Sequence, residues 1–255
     1  MKKEIAERVV IGADFEFASG EGSRRSVDRI VELVDELADT GVVFKINADL
    51  RSCGYILIDH LKDKGVKICA DLKLNDIPQT LERDAKLLAP HKPDFVTVMA
   101  SAGVDGMRAV QDNLPDTEVW GVTVLTSLDE SMCSAVYGSD PKRTVLKLAL
   151  LARDAGLKGL ILSPKEATLL TMSDEFRSMT LNSPGIRYPW SETGDQKRFA
   201  TAGDAIRAGI DRVVVGRPIL NAKADGIEGH PQSRREALEW IQNDIEQTLA
   251  EKTTK

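Results

Sequence analysis

GVKICADLKLNDIPQT, running from Gly65 to Thr80, passes from a short apolar run into the charges of Asp71, Lys73 and Asp76 and then into a proline. The run VKICA has the length and composition of a buried strand. Side chains of a strand alternate faces, so Asp71 and Lys73 point the same way, with Asp76 following in the turn. Three charges are therefore expected to converge on one spot at the strand's end. An isolated buried charge is costly, and carboxylates flanking a lysine stabilise its ammonium form. Such a lysine suits proton donation better than Schiff-base nucleophilicity. A structural ion pair at a strand end is the alternative reading of D-x-K taken alone. Pro78 fits the first turn of a helix, where Leu81, Ala85 and Leu88 mark one apolar face.

The same alternation extends in both directions. Apolar runs recur as RVVIGAD, GVVFKIN, GVKICAD, PDFVTVM, EVWGVTVL, LKGLILS, SMTLNSPG and DRVVVGR, eight candidate strands in all. Between the first two, Val27, Ile30, Val31, Val34 and Leu37 recur at helical spacing. Val145, Leu148, Leu151 and Ala152 precede Gly156, and Ala237, Leu238, Ile241, Ile245 and Leu249 close the chain in the same manner. Strands alternating with helices imply right-handed parallel crossovers, and about eight of them in a chain of this length predict a (β/α)8 TIM barrel. A doubly wound open sheet is the second choice, but no G-x-G-x-x-G opens the first helix. No Gly- or Ser-rich linker divides the chain, so residues 1–255 are read as one barrel domain.

Composition narrows the function. The 255 residues are 42% hydrophobic and 29% charged with a net charge of -6, which gives no electrostatic case for nucleic acid. No apolar run reaches membrane-spanning length and the N-terminus lacks signal-peptide character, so a cytoplasmic location is expected. Cys53, Cys69 and Cys133 have no C-x-x-C spacing, and His60, His91 and His230 no metal-ligand spacing. Acid–base chemistry falls to Asp and Lys.

In a barrel of this kind, active sites lie at the C-terminal ends of the strands. Polar residues collect there: Asp14, Lys45, Asp71 with Lys73, Thr126 with Ser127, Arg187 after PGI, and Gly216 with Arg217. Gly216 admits close backbone approach and Arg217 offers a forked donor, while Arg187 reaches from the seventh loop, which together predict a phosphate site. ETGDQKR, between those two arginines, adds Gln196 as an amide donor and Gly194 as a hinge.

These residues resemble the orotidine 5'-phosphate decarboxylase family nearly end to end: Asp14 in GADF, Lys45 in FKIN, then DLKLNDIPQT, VTVLTS, SPGIR, GDQKR and VVVGRPI. The resemblance implies a barrel that removes carbon dioxide from orotidine 5'-monophosphate to give UMP, with no metal and no organic cofactor. It makes Lys73 the proton donor to C6 of the pyrimidine, within a network of Asp71, Asp76 and Lys45. It implies a homodimer in which Asp76, Ile77 and Thr80 reach the neighbouring site. Asp14 and Lys45 are then expected at the ribose, Thr126 at the base, Gln196 at base and phosphate, and Arg187, Gly216 and Arg217 at the phosphate.

The chain departs from the family's pattern at Met99, where a histidine is usual; a thioether cannot replace its polar contacts, which leaves three outcomes: compensation by water, compensation by Ser101, or an altered activity. GADF also differs before Asp14. A magnesium-dependent sugar-phosphate branch of the same suprafamily shares D-x-K-x-x-D, but it places Glu where this chain has Lys45 and lacks the GDQ segment. A phosphate-binding barrel without turnover is the non-enzymatic alternative.

Overall fold

The computed structural model describes residues 3–15, 23–191, 200–223 and 227–253. Eight parallel strands close in sequence order into a barrel: β1 (Val9–Gly12), β2 (Val43–Ile46), β3 (Lys67–Leu74), β4 (Phe95–Met99), β5 (Glu118–Val122), β6 (Gly159–Ile161), β7 (Thr180–Ser183) and β8 (Arg212–Val215), with β8 pairing back onto β1. Seven of them lie within the apolar runs named above, while β3 continues three residues past its run, through Leu72 and Lys73 to Leu74, and helices alternate with the strands. The expected (β/α)8 barrel is thus the observed architecture.

The helices form because each carries one apolar stripe to lay against the strands. In Ser23–Leu37 the residues Ile30, Val34 and Leu37 are fully buried, as are Leu81, Ala85 and Leu88 in Pro78–Leu88. Proline opens three helices, at Pro78, Pro141 and Pro164; Asp140 and Ser163 cap the latter two by accepting from backbone N–H groups. Thr201 and Asp204 form a reciprocal capping box at Ala202–Arg207.

Two apolar layers result. The larger lies between strands and helices; the smaller fills the barrel with Val10, Val43, Cys69, Phe95, Trp120 and Val214. Trp120 fits only because residue 159 is glycine: a Cβ there would stand 2.4 Å from its ring. Beneath this layer a polar plug closes the barrel floor. Glu118 pairs with Arg212 at 3.1 Å and accepts from Trp120 Nε1 at 2.9 Å and Thr180 Oγ1 at 2.6 Å. Arg212 also lies over the Phe95 ring, 5.1 Å from its centroid. The strand-end charges Asp14, Lys45, Asp71 and Lys73 lie at the opposite rim.

The strand pairing is regular except beside β3. Ala70 faces Val96 on β4, but the next partners are Leu74 and Val98, so three residues of β3 stand against Thr97 alone. This bulge takes up Asp71, Leu72 and Lys73 and turns the strand end into the barrel mouth.

Candidate active site

The mouth opens on a cavity of about 980 Å³ lined by, among others, Asp14, Lys45, Asn47, Asp71, Lys73, Thr126, Ser127, Arg187, Gly216 and Arg217. Every strand-end residue singled out from the sequence thus reaches one space. At its β1–β3 side the charges alternate in a chain. Asp14 Oδ2 is 2.7 Å from Lys45 Nζ, Lys45 Nζ is 3.0 Å from Asp71 Oδ2, and the same Asp71 oxygen is 2.7 Å from Lys73 Nζ.

Register explains the meeting. Lys45 stands opposite Gly12 on β1 and Cys69 on β3, so its stem rises between the strands that carry Asp14 and Asp71. Gly12 leaves the room: a Cβ there would lie 3.2 Å from Lys45 Cε and 3.3 Å from Asp14 Oδ2. At Gly216, by contrast, a Cβ would meet only the Gly12 carbonyl at an ordinary 3.6 Å, so the chain's own packing does not demand glycine there.

Asp71 is the hub. It is 5% exposed, and burial alone would favour its neutral form, but Lys45 and then Lys73 outweigh this and hold the carboxyl far below the usual range. Burial likewise opposes charge on Lys45, yet Asp71 and Asp14 overcome it and raise its ammonium well above the ordinary lysine range. At neutral pH both are ionised. Asn47 Nδ2 donates to Asp71 Oδ2 at 3.2 Å, and Arg51 holds Asn47 from behind, donating to its Oδ1 at 2.8 Å. The other oxygen of Asp71 accepts from Thr97 Oγ1 at 2.8 Å.

Lys73 has a backbone φ of 48°, a left-handed conformation that a side chain rarely adopts. Such values collect at functional sites, where surrounding structure must enforce them. Here the bulge imposes it, and the Lys73 N–H finds its acceptor in Thr97 Oγ1 at 2.9 Å.

Across the mouth, β7 and β8 supply the cationic side. Arg187 is buried and donates to the Ile186 carbonyl, and Arg217 is half-buried at the start of the helix Arg217–Leu220. Arg29 and Arg234 also line the cavity, stacked on the Phe15 ring at 5.3 and 5.7 Å from its centroid. Neither was singled out from the sequence, since neither lies at the end of an apolar run.

Three expectations need correction or limits. Asp76 does not join the cluster of its own chain: it is exposed, its carboxylate accepts the Ile77 N–H at 2.7 Å, and Lys45 with Asp14 supplies the convergence instead. The turn carries it outward, as it does Ile77, which is 63% exposed, and the half-exposed Thr80. Ser101 does not replace a polar group at Met99 either, since its hydroxyl faces Asn75 Oδ1 at 3.4 Å and it does not line the cavity. Gln196 and Gly194 lie outside the described residues.

Comparisons with known proteins agree with this geometry. The family described as "Orotidine 5'-phosphate decarboxylase / HUMPS family" matches residues 7–228. An orotidine 5'-phosphate decarboxylase of Syntrophomonas wolfei is 32% identical over 234 residues, covering 86% of this chain and 93% of that one. One from Frankia casuarinae is 45% identical over 158 residues, 62% of this chain, and the match spans only 57% of that relative's length. Among solved structures, an orotidine 5'-phosphate decarboxylase of Lactobacillus acidophilus superposes with a TM-score of 0.73 at 27% identity, covering 94% of this chain and 99% of that one. The chain belongs to the orotidine 5'-phosphate decarboxylase / HUMPS family.

Proposed function

We propose that this protein decarboxylates orotidine 5'-monophosphate to UMP, a step of pyrimidine biosynthesis, using its own side chains and no metal, with Lys73 as the proton donor. The alternating chain Asp14–Lys45–Asp71–Lys73 inside the cavity carries the reading. Loss of carbon dioxide from C6 leaves an electron pair in the ring plane, where conjugation delocalises it poorly. An ammonium fixed beside C6 stabilises charge that exists chiefly in the transition state and then delivers its proton there. Asp71 holds that ammonium in place before substrate arrives, so little reorganisation is left for the reaction step.

The cavity lining supports the remaining assignments: Asp14 and Lys45 to the ribose, Thr126 to the base, and Arg187, Gly216 and Arg217 to the phosphate. Gln196, outside the described residues, is assigned to base and phosphate on the resemblance alone. Asp76, Ile77 and Thr80 act in the site of a second copy; the exposure of Asp76 and Ile77 on the turn, with the half-exposed Thr80 in the helix that follows, supports a homodimer that shares its sites. A cytoplasmic setting fits such an enzyme, and among the described residues no helix is long and apolar enough to cross a membrane. Against a magnesium-dependent reaction stands the donor set itself: Lys45 occupies the second-strand position, and two ammonium groups already share the Asp71 oxygen that a divalent cation would need.

The test is to add orotidine 5'-monophosphate with and without EDTA and follow the loss of its ultraviolet absorbance. Equal turnover in both is expected. Loss of turnover with EDTA would assign the chain to the magnesium branch, and no turnover in either would leave a binding barrel. Arg217→Ala is expected to raise KM about 10- to 100-fold, the effect of one charge-assisted hydrogen bond of ~1.5–3 kcal/mol. Turnover of orotidine, which has no phosphate, should be insensitive to the change. Equal losses for both compounds would remove Arg217 from the phosphate site.

A further inference from the structure

Thr97 stands at the middle of β4 with no exposed surface, in a strand otherwise made of apolar residues. Nothing in its own strand calls for a hydroxyl. Its position relative to β3 does. The pairing passes from Ala70–Val96 to Leu74–Val98, so Thr97 is the one residue of β4 opposite the bulge that contains both Asp71 and Lys73. Its hydroxyl is used in both directions: the hydrogen goes to Asp71 Oδ1 at 2.8 Å, and the oxygen accepts the Lys73 N–H at 2.9 Å. A single hydroxyl has one hydrogen to give, so these two bonds orient it fully.

We propose that Thr97 is a positioning residue for the proton donor: one hydroxyl fixes the Asp71 carboxylate and, two residues on, the left-handed backbone from which Lys73 projects. The role rests on the assignment of Lys73 under Proposed function. The bulge removes Lys73 from the regular ladder, and without Thr97 its N–H would lose the acceptor that holds φ at 48°. Asp71 Oδ1 would lose its donor at the same time, freeing the carboxylate to turn about the oxygen that both ammonium groups share. Thr97 touches no reacting atom in this scheme. It sets where the ammonium stands when substrate enters, and misplacement by about 1 Å can cost on the order of 100-fold in rate.

The experiment compares the unmodified protein with Thr97→Val, which keeps the shape and removes the hydroxyl, and with Thr97→Ser and Thr97→Cys. Sites are first titrated with UMP, and kcat on orotidine 5'-monophosphate is expressed per titrated site, so that a partly unfolded sample does not register as slow chemistry. For Thr97→Val, kcat per site is expected to fall about 10- to 100-fold while UMP affinity stays within about threefold. Thr97→Ser should restore most of the turnover. An unchanged kcat per site in Thr97→Val, or a fall in UMP affinity as large as that in kcat, overturns the proposal.

If Thr97→Val does not fold, the comparison of serine with cysteine decides: a cysteine variant well below serine supports the role, and equal turnover of the two overturns it. Should the unmodified protein leave orotidine 5'-monophosphate intact, the proposed function fails separately. Crystal structures then settle the positioning claim, which is overturned if Lys73 in Thr97→Val or Thr97→Cys keeps both its backbone conformation and its contact with Asp71, and supported if either is lost.

Discussion

Lys73→Ala is expected to lower kcat on orotidine 5'-monophosphate by about 10⁴-fold or more while UMP still binds. The size follows from two functions lost with one group. Removing a preorganised charge aimed at a developing anion costs on the order of 10²–10³-fold, and removing a general acid costs about 10²–10⁴-fold; they do not simply add, since both act on the same carbon. Binding should survive because the residues proposed for phosphate and ribose lie at other strand ends, with Arg187 and Arg217 following β7 and β8 and Lys45 on β2. The Lys73 side chain is one-third exposed, so truncating it leaves Asp71 with Lys45, Asn47 and Thr97 as partners and water within reach. Absorbance assays for turnover and calorimetry with UMP measure the two halves. Turnover within tenfold of the unmodified enzyme, a ratio well inside the ~10²-fold minimum for either function, would remove Lys73 from its assigned role.

Asp71→Asn should damage both stability and catalysis. Breaking a buried ion pair by removing one partner typically costs ~3–5 kcal/mol; partial exposure of Lys73 and the remaining Asp14 contact of Lys45 bring the expectation here to about 2–4 kcal/mol. For a chain of this size that corresponds to a melting temperature lower by roughly 4–16 °C. Turnover should fall about 10²–10³-fold, because the ammonium loses the carboxylate that aims it.

The pH dependence has a definite sign. The folded pKa of Asp71 is depressed, so its contribution is present above the unfolded carboxylate value of about 4 and is lost as pH falls below it. The folded pKa of Lys45 is raised, so its contribution is present below the ordinary lysine value of about 10.4 and is lost as pH rises through the folded value. The stability deficit of Asp71→Asn should therefore be flat from about pH 5 to 10 and shrink on acidification toward pH 3. A deficit that grows in acid contradicts a charged Asp71 hub.

The barrel was legible because parallel strands are buried on both faces and stand out as apolar runs, while each intervening helix needs an apolar stripe of period 3.6. The rim charges were legible for the complementary reason: Lys45, Asp71 and Arg217 interrupt or end such runs, where a core residue would be expected. What escaped was whatever looked like core or depended on register. Thr97 in FVTVM reads as an ordinary β-branched strand residue, and its importance follows from a bulge on the neighbouring strand that no local pattern announces. Glu118 and Arg212 read as strand-start surface charges until the barrel closes and brings them together with Trp120, 94 residues apart in sequence. Gly12 drew no attention in the sequence, yet it clears space for Lys45. Asp76 departs in the opposite sense, and only within its own chain: its nearness in sequence to Lys73 suggested that the three charges converge, and the turn before Pro78 carries it outward instead.

The left-handed backbone at Lys73 also bears on how such a sequence tolerates change. Glycine is the residue that conformation suits best, so the position proposed to carry the proton is one where the backbone alone would prefer no side chain at all. Heat tolerance and turnover thus pull residue 73 in opposite directions, and variants selected only for surviving high temperature would drift toward intact but inert barrels.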